Sequence, residues 1–215
     1  MAGAASRSVR NLFSTTRRRR VLAIVVAVLV AAGLATLASG VGQRLLDSGD
    51  PPAAAVPGSG LPPGFTEFRS SQAGFALSYP AGWTRLQTAD PQVVLLAAQG
   101  PQVSFLVRVA ELDVAIGPQE LPAAKQLTDQ IVMANESVEL LAEPQPIELA
   151  GLPGYFYFYS FQDTGTEQRG AHSHFFVFKG QTLITLVFQT LPAEQFSAAA
   201  PTFDQITGSF RVLEK

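Results

Sequence analysis

Tyr155-Phe-Tyr-Phe-Tyr-Ser-Phe161 is the stretch that decides how this 215-residue chain folds. Aromatic residues fit a pleated, half-buried backbone far better than a helix or a loop, so the run predicts a strand. It is apolar at odd and even positions alike. A strand turns alternate side chains to opposite faces, so both of its faces must be covered, as in a central strand with layers above and below. Working outward, the turn-forming run Asp163-Thr-Gly-Thr-Glu-Gln-Arg-Gly170 leads back into His172-Ser-His-Phe-Phe-Val-Phe178. Lys179-Gly180-Gln181 then predicts a tight turn into Thr182-Leu-Ile-Thr-Leu-Val-Phe188. Upstream, short strands are expected at 138–141 and 147–149, the latter followed by a turn at Gly151-Leu-Pro-Gly154. Further back, 93–97 and 103–109 flank Gln99-Gly100-Pro101 as a hairpin, and 75–79 stops at Pro80-Ala-Gly82 before Trp83.

The period changes twice. Ala124, Leu127, Ile131 and Ala134 recur at helical spacing after Pro118 and Pro122, and proline in a first turn costs no hydrogen bond. Phe196, Phe203, Ile206 and Phe210 mark a C-terminal helix, or one broken at Pro201. Seven or eight strands joined mostly by hairpins, with two helical regions, predict an α+β domain. Its central, largely antiparallel β-sheet is sandwiched by helices.

The rest of the chain is organised around that domain. Residues 1–20 carry six arginines and no acid, and residues 21–42 carry no charge at all. Twenty-two residues of helix span roughly 33 Å, enough for a hydrocarbon core of about 30 Å. Basic residues beside a span stay cytoplasmic, which predicts a basic cytoplasmic tail and a single transmembrane signal-anchor helix. Residues 43–64 hold five prolines and four glycines and read as a linker. Residues 65–215 form the extracytoplasmic domain. The expected location is thus the cell membrane, single-pass; a cleaved signal would make the domain secreted. With eight basic and fifteen acidic residues, the domain is a poor partner for nucleic acid. The chain has no cysteine, which excludes disulfides, thiolate metal sites and cysteine nucleophiles.

Three segments resemble a known family. Phe75-Ala-Leu-Ser-Tyr79-Pro80-Ala-Gly82-Trp83 is similar to the opening of PsbP-like domains. Ile147-Glu-Leu-Ala-Gly151-Leu-Pro-Gly154-Tyr155 resembles their mid-domain turn and aromatic strand, and Phe203-Asp-Gln-Ile206-Thr-Gly-Ser209-Phe210 their closing helix. The family includes extrinsic photosystem proteins and bacterial envelope proteins related to DcrB and LpqN. The resemblance implies an antiparallel sheet between helices and a non-enzymatic binding or scaffolding domain outside the membrane. The arginine-rich tail and the anchor do not belong to the photosystem members, so their photosynthetic role does not carry over.

Few residues could carry chemistry, and no catalytic residue or cofactor is expected. Motifs for phosphate loops, hydrolase elbows, zinc proteases and calcium loops are all missing from the sequence. The two histidines, His172 and His174, share one strand face. They are weak metal candidates, needing a third ligand such as Asp163 or Glu167, and otherwise form the polar end of a strand with at most a pH-sensitive surface. Trp83 reads first as a core plug. Together with Tyr155, Tyr157 and Tyr159 it is the candidate ligand or partner surface. The function that fits is a membrane-anchored, non-catalytic module for protein–protein interaction or envelope assembly, with a protein partner in the envelope. The alternative is a small-ligand or lipid carrier with an apolar pocket between sheet and helix.

Overall fold

The computed structural model describes residues 61–213. The basic tail 1–20, the span 21–42 and most of the linker 43–64 lie outside the described residues. Among those described, no helix is long and apolar enough to cross a membrane.

The first strands are β1 (Phe65–Ser70), β2 (Phe75–Pro80), β3 (Thr84–Arg85), β4 (Val93–Gln99) and β5 (Val103–Ile116). Helix α1 (Leu121–Met133) follows, then β6 (Glu139–Leu140), β7 (Gln145–Leu149), β8 (Leu152–Gln162) and β9 (Arg169–Thr190). A 3₁₀ turn (Ala193–Gln195), helix α2 (Phe196–Gly208) and β10 (Arg211–Val212) close the domain. The large sheet runs β3-β4-β5-β9-β8-β6, with β7 also on β8, and its pairings are antiparallel.

Although β9 is one unbroken run of extended residues, it doubles back at Gly180. Drawn straight, 22 residues would reach roughly 70 Å. Instead, a Cβ placed on Gly170 would lie 3.0 Å from the Thr190 carbonyl oxygen. His172 Nε2 is 2.8 Å from Gln189 Oε1, and the Phe175 and Phe188 rings are 5.9 Å apart. Gly180 has φ 59°, the left-handed conformation a tight turn needs. The expected Lys179-Gly180-Gln181 turn is therefore present. The N-terminal arm pairs with β8, from Gln162↔Arg169 to Gly154↔Val177. The C-terminal arm pairs with β5, from Val103↔Thr190 to Glu111↔Thr182.

Both faces of the sheet are covered. On one, Tyr155, Tyr157, Tyr159 and Phe161 pack with Phe176, Phe178 and Leu183 beneath Ala124, Leu127 and Val132 of α1. On the other, Phe105, Val107, Val177, Leu186 and Phe188 pack against Phe203 and Ile206 of α2 and against Phe75 and Leu77. The same face receives Phe158, whose ring lies 4.6 Å from Phe196.

Three expectations change. Residues 75–79 do not join the central sheet: β2 forms a separate three-stranded sheet, β1-β2-β10, against the α2 side. In β1, Phe65 and Phe68 break the alternation that would have marked a strand. The turn before the aromatic strand is Ala150-Gly151 (φ 52° and 78°), with Leu149 paired to Leu152, so Pro153 and Gly154 lie within β8. In α1 the buried face is Ala124, Leu127, Thr128 and Val132, with Ile131 only half-buried. Of the two forms expected for the C-terminal helix, the unbroken one is present: α2 continues through Pro201. The N–H that proline lacks would have bonded the carbonyl of Ser197, and both residues are exposed, so water can serve that carbonyl.

Candidate functional site

The tyrosines of β8 line up on the α1 face, and each hydroxyl has a task. Tyr155 donates to the Leu121 carbonyl at the start of α1 (3.1 Å). Tyr157, two residues on, donates to Asp129 Oδ1 and meets Thr128 Oγ1, both at 2.7 Å. Lys125 Nζ holds the same Asp129 carboxylate at 2.8 Å and 2.9 Å. Burial raises the Tyr157 and Tyr159 hydroxyls above their ordinary pKa, so both remain protonated donors. All three rings are buried, at 6%, 1% and 6% exposure. Tyr155 and Tyr157 are struts between sheet and helix and Tyr159 bonds within the sheet, so the three rings expected as a ligand or partner surface lie buried.

Tyr159 lies opposite His172 in the strand register, and Tyr157 opposite His174. The Tyr159 hydroxyl lies 3.1 Å from His172 Nδ1 and 3.0 Å from His174 Nδ1. Gln189 Oε1 can only accept, so His172 Nε2 carries a proton and its Nδ1 is an acceptor in the neutral ring. Tyr159 therefore donates to His172 and accepts from His174 Nδ1–H. His174 Nε2 is left buried without a partner. His174 also stacks on Phe176 at 4.0 Å, and His172 lies tilted against Phe161 at 4.2 Å.

Burial lowers the His172 pKa to about 4, with the Gln189 hydrogen bond opposing the shift. It lowers His174 well below its ordinary value, helped by the charges of His172 and Arg108. Arg108 comes from β5, and its Nε reaches Asp90 Oδ2 at 3.2 Å, both side chains being largely buried. It also donates to Gln92 Oε1. His174 is thus a buried neutral imidazole, and His172 is half-buried against Tyr159 and Phe161, the polar strand end expected from their spacing.

Neither expected third metal ligand faces them. Asp163 Oδ2 accepts from Thr166 N and Oγ1 within the β8–β9 loop, and Glu167 is exposed with φ 57°. Among the described residues, no group of three His, Asp or Glu side chains could hold a metal ion.

Trp83 is 8% exposed and packs its indole at 5.9 Å from Phe105 and edge-on to Phe203 at 6.5 Å. It is a core plug that also lines a surface cleft of about 250 Å³ with Val103, Gln195 and Thr202. A second cleft of about 250 Å³ lies beside β4. Neither is lined by Tyr155, Tyr157 or Tyr159.

Sequence reasoning missed Arg108, Asp90, Gln189 and Asp129. Only Arg108 left a signal, as the one charge inside Val103-Ser-Phe-Leu-Val-Arg-Val109.

A mostly antiparallel sheet with a helix on each face, its aromatic strand buried from both sides, defines a PsbP-like domain. The chain belongs to the PsbP family, whose sequence profile matches residues 63–212. Its fold is similar to the solution structure of CyanoP from Synechocystis sp. PCC 6803, with TM-score 0.53 and 16% identity over 75% of this chain and 99% of that one. Looser likenesses are to LpqN, involved in cell envelope biogenesis of Mycobacterium tuberculosis, and to the Saccharomyces cerevisiae Ran-binding protein Mog1p. LpqN has TM-score 0.44 and 12% identity, covering 72% of this chain and 81% of its own. Mog1p has TM-score 0.46 and 10% identity, covering 70% of this chain and 96% of its own. No protein of curated function matches the sequence.

Proposed function

We propose that this protein is a non-catalytic binding or scaffolding module. In this reading residues 21–42 tether it to the membrane and the domain lies on the extracytoplasmic side, facing a protein partner of the cell envelope. Membership of a family whose fold builds such modules supports the reading, as do the basic tail and the apolar run ahead of the domain.

The observation that carries the binding role is where apolar surface remains exposed. Met133, Leu140 and Leu141 are 53%, 41% and 51% exposed, and they fall at the last residue of α1, at the end of the edge strand β6 and just after it. Leu140 lies opposite Tyr159, so it sits at the margin of the α1-covered face. Large apolar side chains left in water on a sheet edge suit a protein contact. A carrier would instead need a deep apolar cavity of several hundred Å³, whereas the tyrosine face is packed and bonded to α1.

Replacing Leu140 and Leu141 together by Ser tests the reading. Both are exposed, so folding stability should change by less than about 1 kcal/mol. Recovery of partner proteins with the affinity-captured chain from detergent-solubilised membranes should fall at least severalfold. Unchanged recovery by a folded double variant would remove this edge as the contact.

A further inference from the structure

The hydroxyl of Tyr159 stands between two imidazole Nδ1 atoms, and that arrangement admits only one ring proton. A phenol has one hydrogen to give. If both Nδ1 atoms carry protons, both become donors and the phenol hydrogen loses its acceptor. The chain His174–Tyr159–His172–Gln189 is therefore complete only while His172 is neutral with its Nδ1 unprotonated and His174 carries its proton on Nδ1. It crosses three neighbouring extended segments: β8, the N-terminal arm of β9 and its C-terminal arm.

Among the described residues, nothing nearby is free to neutralise added charge. On β9 the polar neighbours are Gln189 and Thr185, which cannot ionise. From β8, Tyr159 is bonded as described, and Tyr157 gives its proton to Asp129. From α1, Asp129 is already held by Lys125. From β5 comes the cation Arg108, and the carboxylate of Asp90 is spent on it. On the opposite face, Arg169 is taken up by Ser160 and Glu139. Protons on His172 and His174 would thus add positive charge beside Arg108, in a packed layer with no carboxylate to spare.

We propose that this chain is an acid-sensitive latch on the sheet end where β8 and β9 leave each other. At neutral pH it ties Tyr159, both histidines and Gln189 together. On acidification it releases them and loosens the sheet end that carries β6 with its exposed Leu140 and Leu141. The sign follows from linkage. The latched state holds its imidazoles neutral, so an open state binds more protons once the pH falls below about 6.5. For His172, held at about 4, proton uptake on going from pH 7 to pH 5 favours opening about twentyfold. The latch does not depend on the tether or on any partner.

Hydrogen exchange on the full-length chain in detergent, at pH 7 and pH 5 and corrected for intrinsic rates, tests this. Protection across 139–141, 157–162, 169–174 and 187–190 should fall about twentyfold or more. Protection in β2 and α2 should change by less than twofold. His172→Gln with His174→Gln should abolish the difference between the two pH values. A wild-type protein with equal protection at both pH values would overturn the proposal. So would a loss spread evenly over the domain, or a double variant that keeps the wild-type pH dependence. Should the double variant not fold, the wild-type imidazole NMR signals decide. Their titration must coincide with the local opening, and titration near pH 6.5 with protection retained would overturn the latch.

Discussion

A methyl group on Gly154 would stand 2.0 Å from the carbonyl oxygen of Phe176 and 3.2 Å from the Cα of Val177. Both atoms are backbone of the neighbouring arm of β9, so neither can move without breaking the ladder. The sequence Gly151-Leu-Pro-Gly154 suggested a turn glycine, whereas Gly154 serves close strand approach and only Gly151 serves a turn. Gly154→Ala should therefore destabilise the domain by about 3 kcal/mol or more, measured by urea denaturation. The histidines make the same point about residue-scale reading. Their shared face was legible from their i, i+2 spacing. Their burial was not, because it depends on Tyr159 and Gln189 from two other segments.

At the scale of elements, α1 shows how little of a helix's attachment its own periodicity reveals. Its apolar positions predicted the buried face approximately, but Thr128 at 0% exposure belongs to that face because Tyr157 meets it there. Tyr155 and Tyr157 fasten α1 near its start and its middle. Replacing both with Phe keeps the rings and deletes the two hydroxyl struts. We expect a loss of about 1–2 kcal/mol per strut, with faster hydrogen exchange in α1 while α2 stays protected. Equal exchange in both helices would mean that the apolar contacts alone hold α1. The β9 hairpin is the contrasting case, where Lys179-Gly180-Gln181 and the flanking runs were sufficient to place the turn. Local chemistry decides a tight turn. By contrast, β1 and β10 are too short or too irregular to announce themselves, and they exist because β2 offers both of its edges.

For the whole molecule, the expectation concerns how the chain sits relative to a bilayer. In the proposed topology, six arginines before an uncharged run of 22 residues keep the N-terminus in the cytoplasm. A reporter active only in the cytoplasm should therefore work when fused ahead of Arg17 and stay silent after Lys215. Activity at the C-terminal fusion would reverse the orientation. A mature protein shorter by about forty residues would make the run a cleaved signal and the domain secreted.

The sequence by itself determined the class of fold. The aromatic run at 155–161 required cover on both faces, the hairpin turns required antiparallel neighbours, and two helical periods supplied the covering layers. These are local properties: side-chain direction alternates along any strand, and turn residues act within a few positions of themselves. Only the tertiary structure decided what the polar atoms do. It split off the small β1-β2-β10 sheet, bonded Tyr155 and Tyr157 to α1 and Tyr159 to the histidines, and buried His174 near Arg108. A buried hydroxyl or imidazole must find its partner wherever the fold brings one, and here those partners lie 13 to 34 residues away along the chain. Spacing along a sequence carries no record of such pairings.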